Sequence, residues 1–286
     1  MKNFIIKQGG GIGDILFSLR IAKLIYKKYK ADIIWPIVPS LLWIKDYIKT
    51  PYIKWESYAD YPWINDVKEN QPFKMNEDTV LVPLSEASNS HDGKYTGSPI
   101  MEAKYLAFGL TYNNWQDDII VYRNKEKEDE LFYNVLGLKD NDEYTYIHRQ
   151  YGTPSVNPNL PVGIMKSKFM PDELFANKKI VEGHLIPEFT VFDWLKVIEK
   201  AKDIHVVSTC LFYILEAVDK KLPEIKIYNR DDNLNLFQPH FLKNTLRQKW
   251  KFIETEYNTT TNPWPNKTFQ PSRHGSLYDK NLFSYD

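Results

Sequence analysis

The sequence is poor in cysteine, has no excess charge of either sign and contains no long apolar run. Cys210 is the single cysteine, which excludes an intrachain disulfide and a cysteine-rich zinc site. Lysine plus arginine number 37, as do aspartate plus glutamate, so the net charge gives no general attraction to nucleic acid or acidic membranes. The apolar run at 4–6 is too short for a signal peptide, and no run reaches the ~18 residues of a membrane span. We therefore expect a cytoplasmic protein.

The first half of the chain alternates apolar runs with a helical pattern. Residues 4–8 are typical of a buried strand, and a glycine-rich loop follows at 9–13. Apolar positions between 15 and 25 then fall on one stripe of a helix. Second and third apolar runs occur at 32–36 and 79–84. A strand, a helix and a strand in this order predict a βαβ unit and a parallel sheet.

The second half repeats this alternation after a turn rich in glycine, aspartate and asparagine at 137–142. Strands are predicted at 144–148, 203–207 and 224–228, with a helix opened by a capping-box-like Thr190 and Asp193. Residues 234–250 have a helical pattern that would cross back to the first half. The prediction is a first domain at 1–140, a second at 141–230, and a crossover helix and irregular tail at 231–286.

The glycine loop ends in Asp14, which fits neither common nucleotide motif. A dinucleotide fingerprint would need glycine at Asp14 or Leu16, and a Walker loop would need lysine after Gly13. Glycines such as Gly11 and Gly13 still allow a ligand to approach the backbone closely. Asp14 has two interpretations: a carboxylate that stabilises the helix N-terminus, or a general base that deprotonates a hydroxyl group.

A second polar segment follows the strand predicted at 203–207. Ser208, Thr209 and Cys210 open the next helix. Small hydroxyl residues at such a place either cap the helix or bind phosphate together with backbone N–H groups. Arg149, just past the strand at 144–148, is the best placed cation for a bound phosphate group. Lesser candidates for this role are His148, Lys166, Lys168 and Arg230.

Together, Gly13-Asp14 and the segment at 208–213 resemble the GT-B glycosyltransferases, particularly the heptosyltransferase-like enzymes of glycosyltransferase family 9. That family opens its first long helix with Gly-Asp, whose aspartate is the catalytic base. Its second domain carries Asp-Thr-Gly-Leu-x-His, which contacts the donor phosphates. Thr209 and Leu211 match this motif, and the other three defined positions hold different residues: Ser208, Cys210 and Tyr213.

The resemblance implies an α/β fold with two Rossmann-like domains facing across a cleft. It implies an inverting, metal-independent glycosyltransferase that uses a nucleotide-sugar donor, an acceptor hydroxyl and no cofactor. Asp14 would be the catalytic base, and Glu216, in a Leu-Glu-Ala sequence found in many GT-B enzymes, would bind the ribose. Asp140-Asn141-Asp142 matches a metal motif of the other glycosyltransferase class, but it precedes a strand and is interpreted as a turn.

His91 lies in a polar loop at 88–93 that would orient the acceptor or simply face solvent. Two other functions stay open: a nucleotide-sugar epimerase of the same fold, and a nucleotide-binding module without catalysis. The first would convert a sugar nucleotide without an acceptor, and the second would bind a nucleotide without turnover. Transfer to modified DNA bases is disfavoured by the zero net charge.

Overall fold

The computed structural model describes residues 3–69, 72–85, 101, 104–105, 110–152, 163–230, 242 and 244–253. In the first half, these residues form five strands and one long helix: β1 (Asn3–Ile6), α1 (Ile12–Tyr29), β2 (Asp32–Ile37), β3 (Ile53–Ser57), β4 (Phe73–Lys74) and β5 (Thr79–Val82). The strand order of the sheet is β3-β2-β1-β5-β4, and its pairs are parallel except for the antiparallel β4 and β5.

The rest of the described chain contains three short helices and a fully parallel sheet. Its elements are α2 (Lys125–Asp129), β6 (Thr145–His148), β7 (Gln150–Tyr151), β8 (Met165–Lys166), β9 (Ile180–Glu182), α3 (Leu195–Lys200), β10 (Asp203–Val207), α4 (Cys210–Glu216), β11 (Ile225–Tyr228) and β12 (Trp250–Phe252). The strand order is β12-β11-β10-β6-β9, and β7 pairs with β8 in a separate antiparallel ribbon. Short 3₁₀ turns connect several elements, and a π-helical segment, Glu130–Val135, continues α2.

Helix α1 has the predicted apolar stripe, and its ends follow from backbone and charge. Gly11 precedes the helix with φ of +78°, a conformation that residues with a side chain rarely adopt. The stripe residues Ile15, Leu19, Ala22 and Ile25 are buried under the first sheet. Lys27 and Lys28 lie in the last turn, where positive charge suits the helix dipole.

The two halves pack directly against each other. One apolar cluster contains Phe4 and Ile33 from the first sheet together with Ile204 and Ile225 from the second. Helices α1 and α4 are in contact, with the rings of Phe17 and Tyr213 5.7 Å apart. The hydroxyl group of Tyr47 donates to the Asp193 carboxylate at 3.0 Å. Both sheets therefore lie over a shared core.

Most predicted strands are present, and two assignments are corrected. The first sheet ends before the turn at 137–142 and the second begins after it. Strand β3 was not predicted, because its short sequence mixes apolar, charged and polar residues at a sheet edge. Trp250, predicted to end a crossover helix, instead begins β12, whose pairing with β11 extends the second sheet beyond residue 230. Residues 231–241 and 243 lie outside the described residues, as does the tail from 254.

Candidate functional site

A cleft of about 550 Å³ lies where the carboxyl ends of the two parallel sheets meet. The loop and first turn of α1, Gly11 to Asp14, line one side. Ser208, Thr209 and Cys210, which lead from β10 into α4, line the other. Ligand sites in open α/β sheets lie at this edge, and the volume is typical of a small-molecule site. The two polar features found in the sequence are therefore brought together in one cavity.

The carboxylate of Asp14 is partly exposed in the cleft and is paired with a buried lysine, Lys104. Its side chain is 36% exposed, whereas the Lys104 side chain that pairs with it is 1% exposed. The Lys104 Nζ lies 3.2 Å from the Asp14 Oδ1. The Asp14 Oδ2 lies over Gly11, where a Cβ atom would overlap it. Glycine at position 11 therefore makes room for the carboxylate itself.

Lys104 also connects the glycine loop to the edge of the sheet. Its ammonium group donates to the Gln8 side chain and, at 3.3 Å, to the Leu84 carbonyl. Gln8 in turn donates to the Gly10 carbonyl at 2.7 Å. Burial lowers the pKa of Lys104, and the Asp14 carboxylate opposes this effect by favouring the charged ammonium. The base candidate thus belongs to a network that includes the loop.

Gly13 lies at the seam between the halves. A Cβ atom at this position would be 2.9 Å from the Tyr213 Cε2 and 3.5 Å from the Cys210 Cα. Burial raises the pKa of the Tyr213 hydroxyl, while the Asp14 and Arg230 charges shift it in opposite directions. Gly13, which was predicted to let a ligand approach the backbone, therefore permits close contact between the starts of α1 and α4.

The opposite wall of the cleft carries neutral polar groups beside the charged Arg230. Ser208 N donates to the Tyr228 carbonyl at 3.1 Å, which fixes the backbone at the end of β10. The Thr209 hydroxyl caps α4 by accepting from Leu211 N at 3.4 Å. Burial raises the pKa of the Cys210 thiol to about 12, so the thiol stays protonated near neutral pH. The capping interpretation of Thr209 is confirmed, and its side chain still lines the cleft.

His148, at the end of β6, is a neutral part of this wall. Burial lowers its pKa to about 4, so the imidazole carries no charge near pH 7 and does not serve as a cation for a bound phosphate group. Next to it, a Cβ atom at Gly183 would overlap the Tyr146 hydroxyl. Tyr146 and His148 both line the cleft, so the lack of a side chain at Gly183 shapes this end of it.

Arg149 is not the cleft cation that the sequence predicted. Its guanidinium group pairs with the two carboxylate oxygens of Glu182 at 2.9 Å each, and it also contacts Asp172 and the Met170 carbonyl. Arg149 holds the pKa of Glu182 below its usual range. Arg149 is therefore occupied by acidic partners beside the cleft, whereas Arg230, after β11, lines the cleft itself.

The assignment of Glu216 to ribose binding is also corrected, because this residue lies in the core and does not line the cleft. Its side chain is fully buried. Its two oxygens accept four hydrogen bonds, from Gln116 Nε2 (3.0 Å), Arg247 N (2.7 Å), Gln248 N (2.9 Å) and Trp250 Nε1 (2.6 Å). These bonds join α4 to the segment that leads into β12. The carboxylate is thus saturated by the protein, which leaves no place for a ribose.

The remaining sequence predictions have simple outcomes. His91 and its loop lie outside the described residues. Asp140 pairs with Lys200 at 3.2 Å and Asp142 with Lys179 at 3.1 Å, as expected of an exposed turn. Across the described parts of the chain, no three His, Cys, Asp or Glu side chains are grouped as metal ligands.

Hydropathy and helix length give one further finding. None of the helices within the described ranges is both long and apolar enough to span a bilayer.

Sequence reasoning missed Lys104, although its spacing carried a signal. Met101, Lys104 and Tyr105 are all buried, at positions i, i+3 and i+4 of a helical pattern. A lysine on the apolar face of such a pattern requires a buried partner. The partner itself, Asp14, is ninety positions away in the sequence and could not be identified from the spacing.

Comparison with known proteins gives similarity in structure only. No family model and no curated protein matches the sequence. Among solved structures, the chain is similar to a glycosyl transferase family 9 protein from Veillonella parvula, with a TM-score of 0.50 and 11% identity over 90% of this chain and 88% of that one. At this identity, the likeness shows the fold: mixed α/β with parallel sheets, as the sequence predicts.

Two further solved structures are less similar. The iron-containing dodecameric glycosyltransferase TibC from enterotoxigenic E. coli has a TM-score of 0.41 and 11% identity, over 80% of this chain and 58% of that one. The E. coli heptosyltransferase WaaC with ADP has a TM-score of 0.40 and 10% identity, over 89% of this chain and 91% of that one.

Proposed function

We propose that this chain is a glycosyltransferase that moves a sugar from a nucleotide-sugar donor to an acceptor hydroxyl group. The observation that carries the proposal is the meeting of Asp14 with Ser208 and Thr209 in one cleft. A partly exposed carboxylate supplies a base, and the opposite wall supplies hydroxyl groups and the Arg230 guanidinium group. The fold shared with a glycosyl transferase family 9 protein agrees with this assignment.

Asp14 is the general base of the proposed reaction. The acceptor hydroxyl loses its proton to the Asp14 carboxylate as its oxygen bonds to the anomeric carbon of the donor sugar. The bond from that carbon to the diphosphate oxygen breaks in the same step, and its electrons leave with the nucleoside diphosphate. Direct attack from the face opposite the leaving group inverts the anomeric configuration.

The donor phosphates lie against the second half in this proposal. Ser208 and Thr209 offer hydroxyl groups, and Arg230 takes the role that the sequence gave to Arg149. Charge developing on the departing diphosphate is then stabilised by fixed donors and by one guanidinium group. The proposal assigns no metal ion and no cofactor to the reaction.

A nucleotide screen followed by a turnover assay tests this function. The purified chain is heated with ADP, UDP, GDP or CDP and with their sugar conjugates, because a ligand that binds the folded state raises the apparent stability. We expect one nucleotide family to raise the Tm. The matching nucleotide sugar should release its nucleoside diphosphate only when an acceptor from a panel of glycans is present.

Other outcomes favour the alternatives. Binding without release across the acceptor panel indicates a nucleotide-binding module. Conversion of the donor to a second sugar nucleotide in the absence of an acceptor indicates an epimerase. If no nucleotide changes the Tm, the assignment of the cleft to a nucleotide sugar is wrong.

A further inference from the structure

The buried side chain of Lys104 brings its ammonium group into contact with the candidate base, Asp14. The Lys104 side chain is 1% exposed. Its Nζ contacts three acceptors: Asp14 Oδ1, Gln8 Oε1 and the Leu84 carbonyl. A lysine ammonium has three N–H donors, so these three acceptors account for all of them. The group is therefore fixed in orientation.

Of the three acceptors, Asp14 alone is charged. Removing an ammonium from water is costly unless a counter-charge lies nearby. The Asp14 carboxylate supplies that charge at 3.2 Å and favours the charged form of the Lys104 ammonium. Lys104 thus depends on Asp14 for its charge.

From these contacts we propose that Lys104 is the positioning residue of Asp14, an inference that rests on the proposed function. Lys104 holds the Oδ1 and leaves the Oδ2, above Gly11, to accept the proton of the acceptor hydroxyl. Through Gln8, which donates to the Gly10 carbonyl, the same ammonium fixes the loop that carries the base. Lys104 acts through the carboxylate and does not touch the substrate.

The substitution Lys104→Met tests this role, and Lys7→Met is the matched control. Lys7 is also a buried lysine of the first half; it follows β1 and donates to the Val67 carbonyl at 2.8 Å. With the nucleotide sugar identified by the screen, we expect Lys104→Met to lower kcat by about 10²-fold, the effect typical of a misplaced catalytic group. The donor KM should stay unchanged, because the Ser208 wall is intact. Lys7→Met should keep both constants.

Two results of this assay overturn the proposal. One is a Lys104→Met enzyme with the wild-type kcat. The other is an equal fall of kcat in both lysine variants, which indicates general damage to the first sheet. A wild-type chain without turnover on any donor instead defeats the proposed function, and the positioning role with it.

A double-mutant cycle, with the Tm as its readout, tests the ion pair without substrate. Asp14→Asn removes the charge that compensates Lys104, so this variant should have a lower Tm than the wild type. Adding Lys104→Met removes the uncompensated ammonium, and the double variant should regain much of the lost Tm. Strictly additive effects of the two substitutions would show that the residues are not coupled and would overturn the proposal.

Discussion

The two sheet edges that meet at the cleft carry different kinds of polar groups. On the first edge, Asp14 and the buried Lys104 form an ion pair. On the second edge, Ser208 and Thr209 present neutral hydroxyl groups, and burial keeps the pKa of His148 at about 4. One edge is therefore organised around a charged base and the other around hydrogen-bond donors. A group transfer that needs a proton acceptor on one side and an anion site on the other would use this difference.

A second comparison concerns the two carboxylates that the sequence proposed as functional. Asp14 has one ion-pair partner and is 36% exposed, whereas Glu216 is fully buried with four donors. Only a carboxylate with free accepting capacity can take a proton or bind a hydroxyl group. The contacts therefore distinguish the partly exposed carboxylate proposed as the base from a structural carboxylate, which the sequence motif does not.

The largest stability effect is expected at Glu216. In Glu216→Gln, one oxygen becomes an amide that cannot accept, so two of the four donors lose their acceptor. At roughly 1.5 kcal/mol for each hydrogen bond to a charged group, the free energy of unfolding should fall by about 3 kcal/mol. Urea unfolding measures this, with the exposed Glu173→Gln as the control. A variant as stable as the wild type that has lost nucleotide binding would restore the ribose assignment.

A smaller effect on binding separates the two arginines. Arg230→Met should weaken the affinity for the nucleoside diphosphate that gives the largest thermal shift by about 10-fold, the value of one charge-assisted contact. Arg149→Met should leave this affinity unchanged and lower the Tm, because its contacts are with Glu182 and Asp172. Isothermal titration calorimetry of both variants measures these affinities for the nucleoside diphosphate. Loss of affinity in the Arg149 variant alone would reverse our correction.

The smallest expected effect lies at the seam between the halves. Gly13→Ala places a methyl group 2.9 Å from the Tyr213 ring, and we expect a loss of about 1 kcal/mol, the low end of overpacking, because a ring can shift. Gly10→Ala is the control, since a Cβ there meets nothing within 4 Å. Equal unfolding free energies for the two variants would mean that α1 and α4 are not in close contact.

Local patterns in the sequence predicted the features that depend on neighbouring residues. The stripe of α1, the strand before Asp14 and the hydroxyl groups after β10 each follow from a period or a short motif, and each is present. Each side of the cleft lies at the carboxyl ends of its own sheet, where open α/β folds bind ligands. This is why the two sides of the candidate site could be expected from the sequence.

Long-range partners explain what the sequence did not predict. Glu216 accepts hydrogen bonds from Gln116 and from the segment 247–250, which lie about a hundred positions before it and about thirty after it. Arg149 finds its acidic partners only once β6 and β9 pair. Whether a polar residue faces a cleft or a buried partner is decided by such contacts, and no motif encodes them.

The substitution Asp14→Asn tests the central claim most directly. The measurement is the rate of nucleoside diphosphate release from the identified donor in the presence of an acceptor, together with the nucleotide affinity; Asp32→Asn, at the opposite end of the same sheet, is the control. We predict a fall in rate of about 10²–10⁴-fold, the usual contribution of a general base, with the affinity unchanged. An Asp14→Asn enzyme that binds the nucleotide and transfers at the full wild-type rate would contradict the account.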